Sequence, residues 1–551
     1  MIAPTSPEAA LAGHDHIAQT LGMCGITHVF GVPGVPVYET FGACARAGLR
    51  LIGTRGQQGA ALMASAQNYW AGRQVAVSVA SAGVAAANAL TGAVVARDNG
   101  WPLVLLVGVP GTADGAQPFM GLDVATLYRP IVKGVAVLDG AANVAPMLEA
   151  ALMLAMRGRP GPVLAVAPAH VLNGSAPWRR PPRSAPRPAG PSPGDECSDV
   201  ADVLLRSRRP LLIVGDGVRW GSPFETLLAL IDRLSLPFIT APIARGYLPD
   251  LHPLCCNAIS GAVQREADAV IVAGSTLDWT FRHGVQIAPT AKLVFLGLDD
   301  AEIGGGEARR IAMPAVPTAL ARLWDATRAR SASRDPSIPD RAWLDSLCRR
   351  REAAALAADM EVGRVESPIA LERLAHELQA ALPADAITVL DGNATMAACQ
   401  RFLIAERPVS RLTPGTSGCM GTGIPFAIAA KLHFPERPVI AVVGDFAFGL
   451  SALELETATR HRTPVVVVVA NNDGNGGNLR QHAILPGEGV DRVAAFLPGI
   501  RYERIAAALG CHAEHVASAS AIGPALRRAL NSQRPACLNV IVDPSAPFPR
   551  A

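Results

Sequence analysis

Short apolar runs alternate with longer Ala- and Leu-rich stretches along most of the chain. The runs are VAVSVA, PLVLLVG and PVLAVAP in the first third, PLLIVGDG, LPFITAP, ADAVIVAG and KLVFLGL in the middle, and AITVLDG, PVIAVVGD, PVVVVVANN and CLNVIVD in the last. Runs that are apolar throughout are typical of parallel strands buried on both faces, and the stretches between them have helical composition. This rhythm predicts an α/β protein of three consecutive domains, each with a mostly parallel sheet flanked by helices.

Two polar stretches interrupt this rhythm and predict the domain boundaries. Residues 176–199 are rich in Pro and Arg, and residues 327–341 are charged, so both are interpreted as surface connections. We therefore expect domains at residues 1–180, 195–330 and 360–551.

Charge and cysteine content narrow the class of protein. The net charge of +3 comes from acids and bases spread along the chain, which argues against a nucleic-acid or membrane partner and favours a small-molecule substrate. The ten cysteines include no Cys-x-x-Cys pair and no His spacing that completes a zinc site, so we interpret them as buried thiols in a reducing compartment. The first residues lack a basic start followed by an apolar core, so a cytoplasmic location is expected.

The segment at residues 438–477 carries the clearest chemistry. One predicted strand ends at Gly444 and Asp445, the next covers residues 465–470 and ends before Asn472, and a helical stretch connects them. Such a βαβ unit brings a carboxylate and a carboxamide to the carboxyl edge of neighbouring strands, where α/β sheets bind ligands. An Asp, an Asn and a backbone carbonyl suit Mg²⁺, which prefers oxygen ligands. Either dipeptide alone is also common in ordinary turns at strand ends.

The pattern Gly-Asp, a helical stretch and then Asn-Asn resembles the signature of thiamine-diphosphate (ThDP) enzymes of the acetolactate-synthase type. The inner sequence GDFAFGLSALELETATR looks most like 2-hydroxyacyl-CoA lyases and oxalyl-CoA decarboxylases, and residues 29–39, 236–255, 267–284 and 411–430 extend the resemblance through nearly the whole chain. The resemblance implies two domains of the ThDP-binding fold, which bind the pyrimidine and the diphosphate, on either side of a Rossmann-like central domain that can hold an ADP moiety. It also implies ThDP and Mg²⁺ as cofactors, and a homodimer or homotetramer, since such enzymes place the cofactor between subunits.

The resemblance also assigns roles to individual residues. Asp445, Asn472 and the Gly474 carbonyl are the implied metal ligands, and Met420 is the apolar wedge that bends the cofactor. Phe446 replaces the usual Gly or Ser at a position that is not a metal ligand. The full set of implied cofactor-binding residues is Gly34, Gln57, Asn393, Gly418, Met420, Gly444, Asp445, Phe446, Ala447, Asn472 and Gly474.

Gln57 is the main departure from the family pattern. Relatives have a glutamate there that exchanges a proton with the pyrimidine, whereas an amide can only hydrogen-bond to it. The sequence also departs from the family pattern at residues 79–92 and at the triplet Phe119, Met120 and Gly121. These changes predict that the part of the pocket facing the substrate is less polar and less acidic than in relatives.

We expect a lyase, decarboxylase or carboligase that acts on a carbon–carbon bond beside a carbonyl, with Gln57 and Met420 as its catalytic residues. Two alternatives stay open: an acetolactate-synthase-like carboligase for 2-oxo acids, and a paralogue that binds ThDP but has lost turnover.

Other candidate residues have weaker patterns. The sequences GVPGVP and VGDGVRWGS lack the Gly-x-Gly-x-x-Gly spacing of a dinucleotide loop and are interpreted as strand-to-helix turns. Arg157, Arg159 and Arg245 are candidate phosphate contacts, although surface arginines are more often solvated. Cys419 is interpreted as a buried structural thiol rather than a nucleophile.

Overall fold

A computed structural model describes residues 10–111, 120–179, 194–220, 224–297, 309–311, 316–330, 339–362, 366–475 and 494–544. Within these residues, no helix is both long and apolar enough to cross a membrane. Two compact units divide the chain. The first contains Met1–Pro188 with Ile424–Pro435 and Ser451–Thr463, and the second contains Ala189–Gly423, Glu436–Leu450 and Pro464–Ala551.

The first unit contains a six-stranded sheet in which every pairing is parallel, in the order β3-β2-β4-β5-β7-β6. A separate antiparallel pair joins β1 and β8. The strands are β1 (Ala10–Ala12), β2 (His28–Gly31), β3 (Arg50–Gly53), β4 (Ala76–Ala80), β5 (Leu103–Val109), β6 (Val135–Val137), β7 (Pro162–Pro168) and β8 (Ser175–Pro177). The helices are α1 (Gly13–Met23), α2 (Tyr38–Arg46), α3 (Gln57–Ala71), α4 (Val84–Asp98), α5 (Val124–Tyr128), α6 (Val144–Met156) and α7 (Ala169–Asn173).

The second unit begins with a five-stranded parallel sheet in the order β10-β9-β11-β12-β13. Its strands are β9 (Pro210–Val214), β10 (Phe238–Thr240), β11 (Ala269–Ala273), β12 (Lys292–Leu296) and β13 (Arg309–Ile311). Its helices are α8 (Gly194–Arg206), α9 (Phe224–Leu234), α10 (Ser260–Glu266), α11 (Val316–Arg330) and α12 (Arg341–Glu361). Thr327, which we expected in a surface connection, is fully buried in α11, so the helical part of this region extends further than the charged sequence predicted.

A second six-stranded parallel sheet lies in the last part of the chain, in the order β15-β14-β16-β17-β19-β18. Its strands are β14 (Ile387–Asp391), β15 (Arg411–Leu412), β16 (Val439–Gly444), β17 (Val466–Asn471), β18 (His512–Val516) and β19 (Ala536–Ile541). The helices of this region are α13 (Leu371–Ala381), α14 (Ala394–Phe402), α15 (Gly423–His433), α16 (Asp445–Ser451), α17 (Glu454–Arg460), α18 (Tyr502–Ala508) and α19 (Ile522–Asn531). All six residues of β17 are buried, as the Val-rich run predicted.

The two six-stranded sheets have the same strand order. In each, the second strand pairs on one side of the first and the third strand pairs on its other side. This reversal leaves a crevice at the carboxyl ends of the first and third strands, which is where open α/β sheets bind ligands. The crevice lies between β2 and β4 in the first unit and between β14 and β16 in the second.

Each of the three sheets has its own hydrophobic core, built mainly from Val, Leu, Ile and Ala. The predicted α/β class with three mostly parallel sheets is therefore confirmed. Most of α15 and all of α17 belong to the first unit, although they follow strands of the last sheet.

Candidate functional site

Asp445 follows directly after β16 at the carboxyl edge of the last sheet. Its side chain is 3% exposed. One carboxylate oxygen accepts a hydrogen bond from the Phe446 N–H at 2.7 Å, and the other accepts one from the Gly474 N–H at 3.0 Å. Burial raises the pKa of Asp445 to about 6, while these backbone hydrogen bonds act in the opposite direction. The two backbone hydrogen bonds fix the Asp445 carboxylate, and its oxygens keep lone pairs that could bind a cation.

Asn472 and Gly474 meet Asp445 from the end of β17. Asp473 between them has a φ of 55°, in the left-handed region that Asp and Asn tolerate better than most residues. Its carboxylate accepts a hydrogen bond from the Gly499 N–H at 3.1 Å, which supports this conformation. Around this left-handed residue, the Asn472 side chain and the Gly474 N–H both contact Asp445, and the Gly474 carbonyl contacts the Asn472 amide.

The Asn472 side-chain amide stands at hydrogen-bond distance from both the Asp445 carboxylate and the Gly474 carbonyl oxygen. The Asn472 amide atom that faces Asp445 lies 3.2 and 3.3 Å from the two carboxylate oxygens and 2.9 Å from the Gly474 carbonyl oxygen. If this atom is the amide nitrogen, it donates hydrogen bonds to these oxygens. If it is the amide oxygen, only acceptors converge there, and a cation among them is needed to stabilise the arrangement. Neighbouring ligands of an octahedral Mg²⁺ at 2.0–2.1 Å stand about 3 Å apart, so the donor set fits this ion.

Three further predicted residues, Gly444, Phe446 and Ala447, flank Asp445 in the sequence. Gly444 is the last residue of β16. An added Cβ there would be no closer than 3.6 Å to any atom, the nearest being the Thr395 hydroxyl oxygen, so a ligand in the crevice could come close to this Cα. Phe446 stacks on Phe496, with ring centroids 6.2 Å apart. Ala447 is buried in α16. Among the described residues no group of three His, Cys, Asp or Glu side chains is arranged to hold a metal, so the candidate site depends on amide and carbonyl oxygens.

Asp391, which the sequence analysis did not select, lies across the same crevice at the end of β14. It is fully buried. Its two carboxylate oxygens accept hydrogen bonds from the Gly392 N–H at 2.6 Å and the Gly423 N–H at 2.7 Å. Burial raises its pKa to about 6. Asp391 therefore connects β14 to the start of α15, while the predicted Asn393 lies exposed at the beginning of α14.

Met420 lies between two glycines with left-handed backbone. Gly418 has a φ of 57° and Gly421 a φ of 85°, and a Cβ on Gly421 would lie 2.7 Å from the Leu450 Cβ. Both positions favour glycine, so the Gly-Cys-Met-Gly sequence sets the path of the chain around Met420. Burial, with a smaller contribution from Asp391, raises the pKa of Cys419 to about 11. A thiol with this pKa is a poor nucleophile at neutral pH, which supports its structural interpretation.

Gly34 and Gln57 belong to the first unit. Gly34 follows β2 at the crevice of the first sheet, where an added Cβ would lie 2.9 Å from the Ser81 side chain. Gln57 is the first residue of α3, and its side-chain oxygen accepts a hydrogen bond from Asn88 at 3.5 Å. The predicted Phe119 lies outside the described residues.

A buried carboxylate holds the segment that leads into Gln57. Glu454 is 5% exposed and accepts hydrogen bonds at 3.2 Å from the backbone N–H groups of Arg55 and Gly56. Its second oxygen also accepts one from the Thr457 hydroxyl at 2.7 Å. A Cβ on Gly59 would lie 2.3 Å from the Glu454 carboxylate, so only glycine fits there without a shift. Sequence reasoning missed Glu454, because a glutamate within a helical stretch is usually solvated.

Two of the three arginines considered as phosphate contacts, Arg159 and Arg245, have partners within the protein. Arg245 forms a largely buried ion pair with Asp250 at 2.9 Å. Arg159 donates a hydrogen bond to the Asp98 carbonyl at 2.7 Å.

In the loop after β9, a Cβ on Gly215 would lie 2.1 Å from the Gly274 carbonyl oxygen, so this glycine allows two loops to approach each other.

Comparison with known proteins matches all three domains to one family. Residues 11–126 match the thiamine pyrophosphate enzyme N-terminal TPP binding domain, residues 197–323 the central domain, and residues 392–540 the C-terminal TPP binding domain.

Full-length relatives agree with the domain matches. An acetolactate synthase large subunit of Mycobacterium tuberculosis is 31% identical, over 100% of this chain and 99% of that protein. A 2-hydroxyacyl-CoA lyase of Oryza sativa subsp. japonica is 28% identical over 98% of this chain and 96% of its own. An oxalyl-CoA decarboxylase of Escherichia coli is 27% identical over 96% and 94%. With its three matching domains and relatives that span its whole length, the chain belongs to the thiamine pyrophosphate enzyme family.

Proposed function

We propose that this protein is a ThDP- and Mg²⁺-dependent enzyme that makes or breaks a carbon–carbon bond next to a carbonyl, of the 2-hydroxyacyl-CoA lyase and oxalyl-CoA decarboxylase kind. The observation that carries the proposal is the convergence of Asp445, Asn472 and Gly474. At the ends of two neighbouring strands, the Asn472 amide lies 3.2 and 3.3 Å from the two Asp445 oxygens and 2.9 Å from the Gly474 carbonyl oxygen. Neighbouring ligands of an octahedral Mg²⁺ stand about 3 Å apart.

Bound ThDP supplies a thiazolium carbon that adds to a carbonyl and a positively charged ring that takes up electrons from the neighbouring bond. The protein would have to hold the diphosphate and the metal, orient the rings of the cofactor, and supply or remove protons. Asp445, Asn472 and the Gly474 carbonyl would hold the metal. Met420, with its path set by Gly418 and Gly421, supports the rings.

Gln57 takes the place of the acid–base group. Its amide can donate a hydrogen bond to a ring nitrogen or accept one, but it cannot exchange a proton at neutral pH. A positioned acid–base group contributes a factor of about 100 to 10,000. We therefore expect slow ionisation of the cofactor in this enzyme.

The acyl-CoA branch is favoured by the segments at residues 236–255, 267–284 and 444–460, which look most like that branch. A second candidate is a carboligase for 2-oxo acids, and the 31% identity to a mycobacterial acetolactate synthase supports it. A third, from another class, is a paralogue that binds ThDP without turnover, and Gln57 is the observation in its favour.

We also propose a homodimer or homotetramer in the cytoplasm. Three apolar residues of the first unit are exposed, namely Val35, Val84 and Met120. Val35 and Val84 directly follow Gly34 and Gly83 in the loops at the crevice of the first sheet, and Met120 packs against Gly83. A second copy of the chain would cover these side chains and complete the site, as is usual for closed symmetric oligomers. Light scattering after size exclusion tests this: a monomer that binds and ionises ThDP would contradict it.

The test of function is titration of the purified protein with ThDP, with and without Mg²⁺, followed by proton exchange at the thiazolium carbon. Metal-dependent binding with measurable exchange supports an active enzyme, and assays with 2-hydroxyacyl-CoA, oxalyl-CoA and 2-oxo acids then separate the first two candidates. Binding without exchange favours the paralogue without turnover. Failure to bind ThDP contradicts the proposal.

A further inference from the structure

A conformationally strained segment follows β11 in the central domain. Leu277, Arg282 and His283 have φ values of 54°, 50° and 53°, in the left-handed region that side chains disfavour. Such conformations persist where the surroundings hold them, and they are enriched at functional sites. Asp278 and Trp279 lie within this segment, and the Asp278 carboxylate accepts hydrogen bonds from the Thr280 N–H at 2.8 Å and the Thr280 hydroxyl at 2.6 Å.

The strained segment contacts the turn that precedes Met420. The Trp279 indole N–H donates a hydrogen bond to the Thr416 carbonyl at 2.8 Å. The Thr416 hydroxyl donates one to the Asp278 carboxylate. An added Cβ on Gly418 would lie 3.6 Å from the Trp279 ring, so the indole packs in ordinary contact with this glycine. Two adjacent residues of the central domain thus hold both the backbone and the side chain of Thr416.

Further hydrogen bonds within the same turn reach Cys419, the residue before Met420. The Gly418 N–H donates to the Gly415 carbonyl at 3.2 Å, and the Cys419 N–H donates to the Ser417 hydroxyl at 3.3 Å. Because Thr416 lies within this hydrogen-bonded turn, a displacement of Thr416 is expected to move Cys419 and Met420 as well. Trp279 remains 50% exposed, so its packing alone does not explain why a large indole is placed here.

We propose that Asp278 and Trp279 are positioning residues that hold the turn at Gly415–Ser417 and thereby set the position of Met420. The inference rests on the proposed function, because it takes Met420 as the support of the cofactor rings. Misplacement of a reacting group by about 1 Å can reduce a rate by about 100-fold. Loosening the turn should therefore slow proton exchange at the thiazolium carbon more than it weakens ThDP binding.

The chain offers a matched control for Trp279. Trp343, in α12 of the same unit, also donates one indole hydrogen bond, to the Glu266 carboxylate at 3.0 Å. Trp279→Phe and Trp343→Phe therefore remove the same group and keep an aromatic ring. Only the first substitution frees the turn before Met420.

The first measurement is backbone amide hydrogen exchange in the cofactor-free protein. Trp279→Phe is expected to speed exchange at Gly418 and Cys419 by about 5-fold, the effect of losing one hydrogen bond, while Trp343→Phe leaves these amides unchanged. Unchanged amide exchange in Trp279→Phe overturns the inference, whether or not the protein binds ThDP.

The second measurement uses the holoenzyme with ThDP and Mg²⁺. Trp279→Phe is expected to bind ThDP within about 3-fold of the unsubstituted protein and to slow proton exchange at the thiazolium carbon by roughly 5-fold or more. An equal effect of both substitutions, or an effect on binding alone, would show that Trp279 has only a structural role. If the unsubstituted protein binds no ThDP, the proposed function itself fails, while the amide measurement still reports on the turn.

Discussion

The carboxylate of Glu454 lies 3.2 Å from the backbone nitrogen of Gly56, a residue 398 positions away in the chain. Gly56 immediately precedes Gln57, so a buried charge in α17 holds the start of α3, where the predicted pyrimidine contact lies. Burial raises the pKa of Glu454, and the hydrogen bonds from Arg55, Gly56 and Thr457 counteract part of this increase.

Glu454→Gln is expected to lower the free energy of unfolding by about 1–3 kcal/mol. The amide keeps one acceptor oxygen but directs its NH₂ group at backbone N–H donors that then lose their partner. Urea denaturation measures the change. Glu456→Gln is the matched control, because Glu456 forms a more exposed pair with Arg460, and its loss should change stability by at most about 0.5 kcal/mol. Equal effects of the two substitutions would contradict the role of Glu454.

Asp445→Asn should abolish Mg²⁺-dependent ThDP binding, with a loss of affinity of roughly 100-fold or more, because the only charged ligand of the proposed site is removed. Calorimetric titration with ThDP and Mg²⁺ measures this. Asp473→Asn is the control: it makes the same chemical change on the residue between Asn472 and Gly474, and asparagine tolerates its left-handed backbone equally well. The metal assignment is wrong if Asp445→Asn still binds ThDP with the affinity of the control.

Gln57→Glu should speed proton exchange at the thiazolium carbon by about 10-fold or more, because a carboxyl group can exchange the proton that the amide cannot. Gln58→Glu adds the same charge one residue further along α3 and should leave the exchange rate nearly unchanged. Nuclear magnetic resonance of the quenched reaction gives the rates. Unchanged or slower exchange in Gln57→Glu would mean that Gln57 does not occupy the position of the family's glutamate.

Asp391 should make stability depend on pH in a direction opposite to that of a salt-bridged carboxylate. Its folded pKa, about 6, is above its ordinary value of 3.8, so between these pH values the folded protein holds a proton that the unfolded chain releases. The contribution of Asp391 to stability is therefore largest below pH 3.8 and falls as pH rises to 6, by on the order of 3 kcal/mol.

Urea denaturation at several pH values between 4 and 7 tests this, with Asp391→Asn as the variant that cannot titrate. The stability of the unsubstituted protein relative to Asp391→Asn should decrease as pH rises. A relative stability that stays constant or increases would show that burial does not dominate the pKa of Asp391.

The sequence alone was sufficient for the α/β class and for the strands that carry Asp445 and Asn472. Those strands are continuous apolar runs followed by polar residues at Gly444–Asp445 and Asn471–Asn472, and this pattern depends only on neighbouring residues.

Only the tertiary structure brought Glu454 to the start of α3, Asp391 to the start of α15 and Trp279 to the turn before Met420. Each of these contacts joins residues that are distant in sequence, and a buried carboxylate or a half-exposed indole has no local pattern that distinguishes it from a solvated one. The family resemblance implied two domains of one fold, but the apolar pattern alone could not give the strand order of the two six-stranded sheets, because strand order is set by long-range pairing and not by the composition of any one strand.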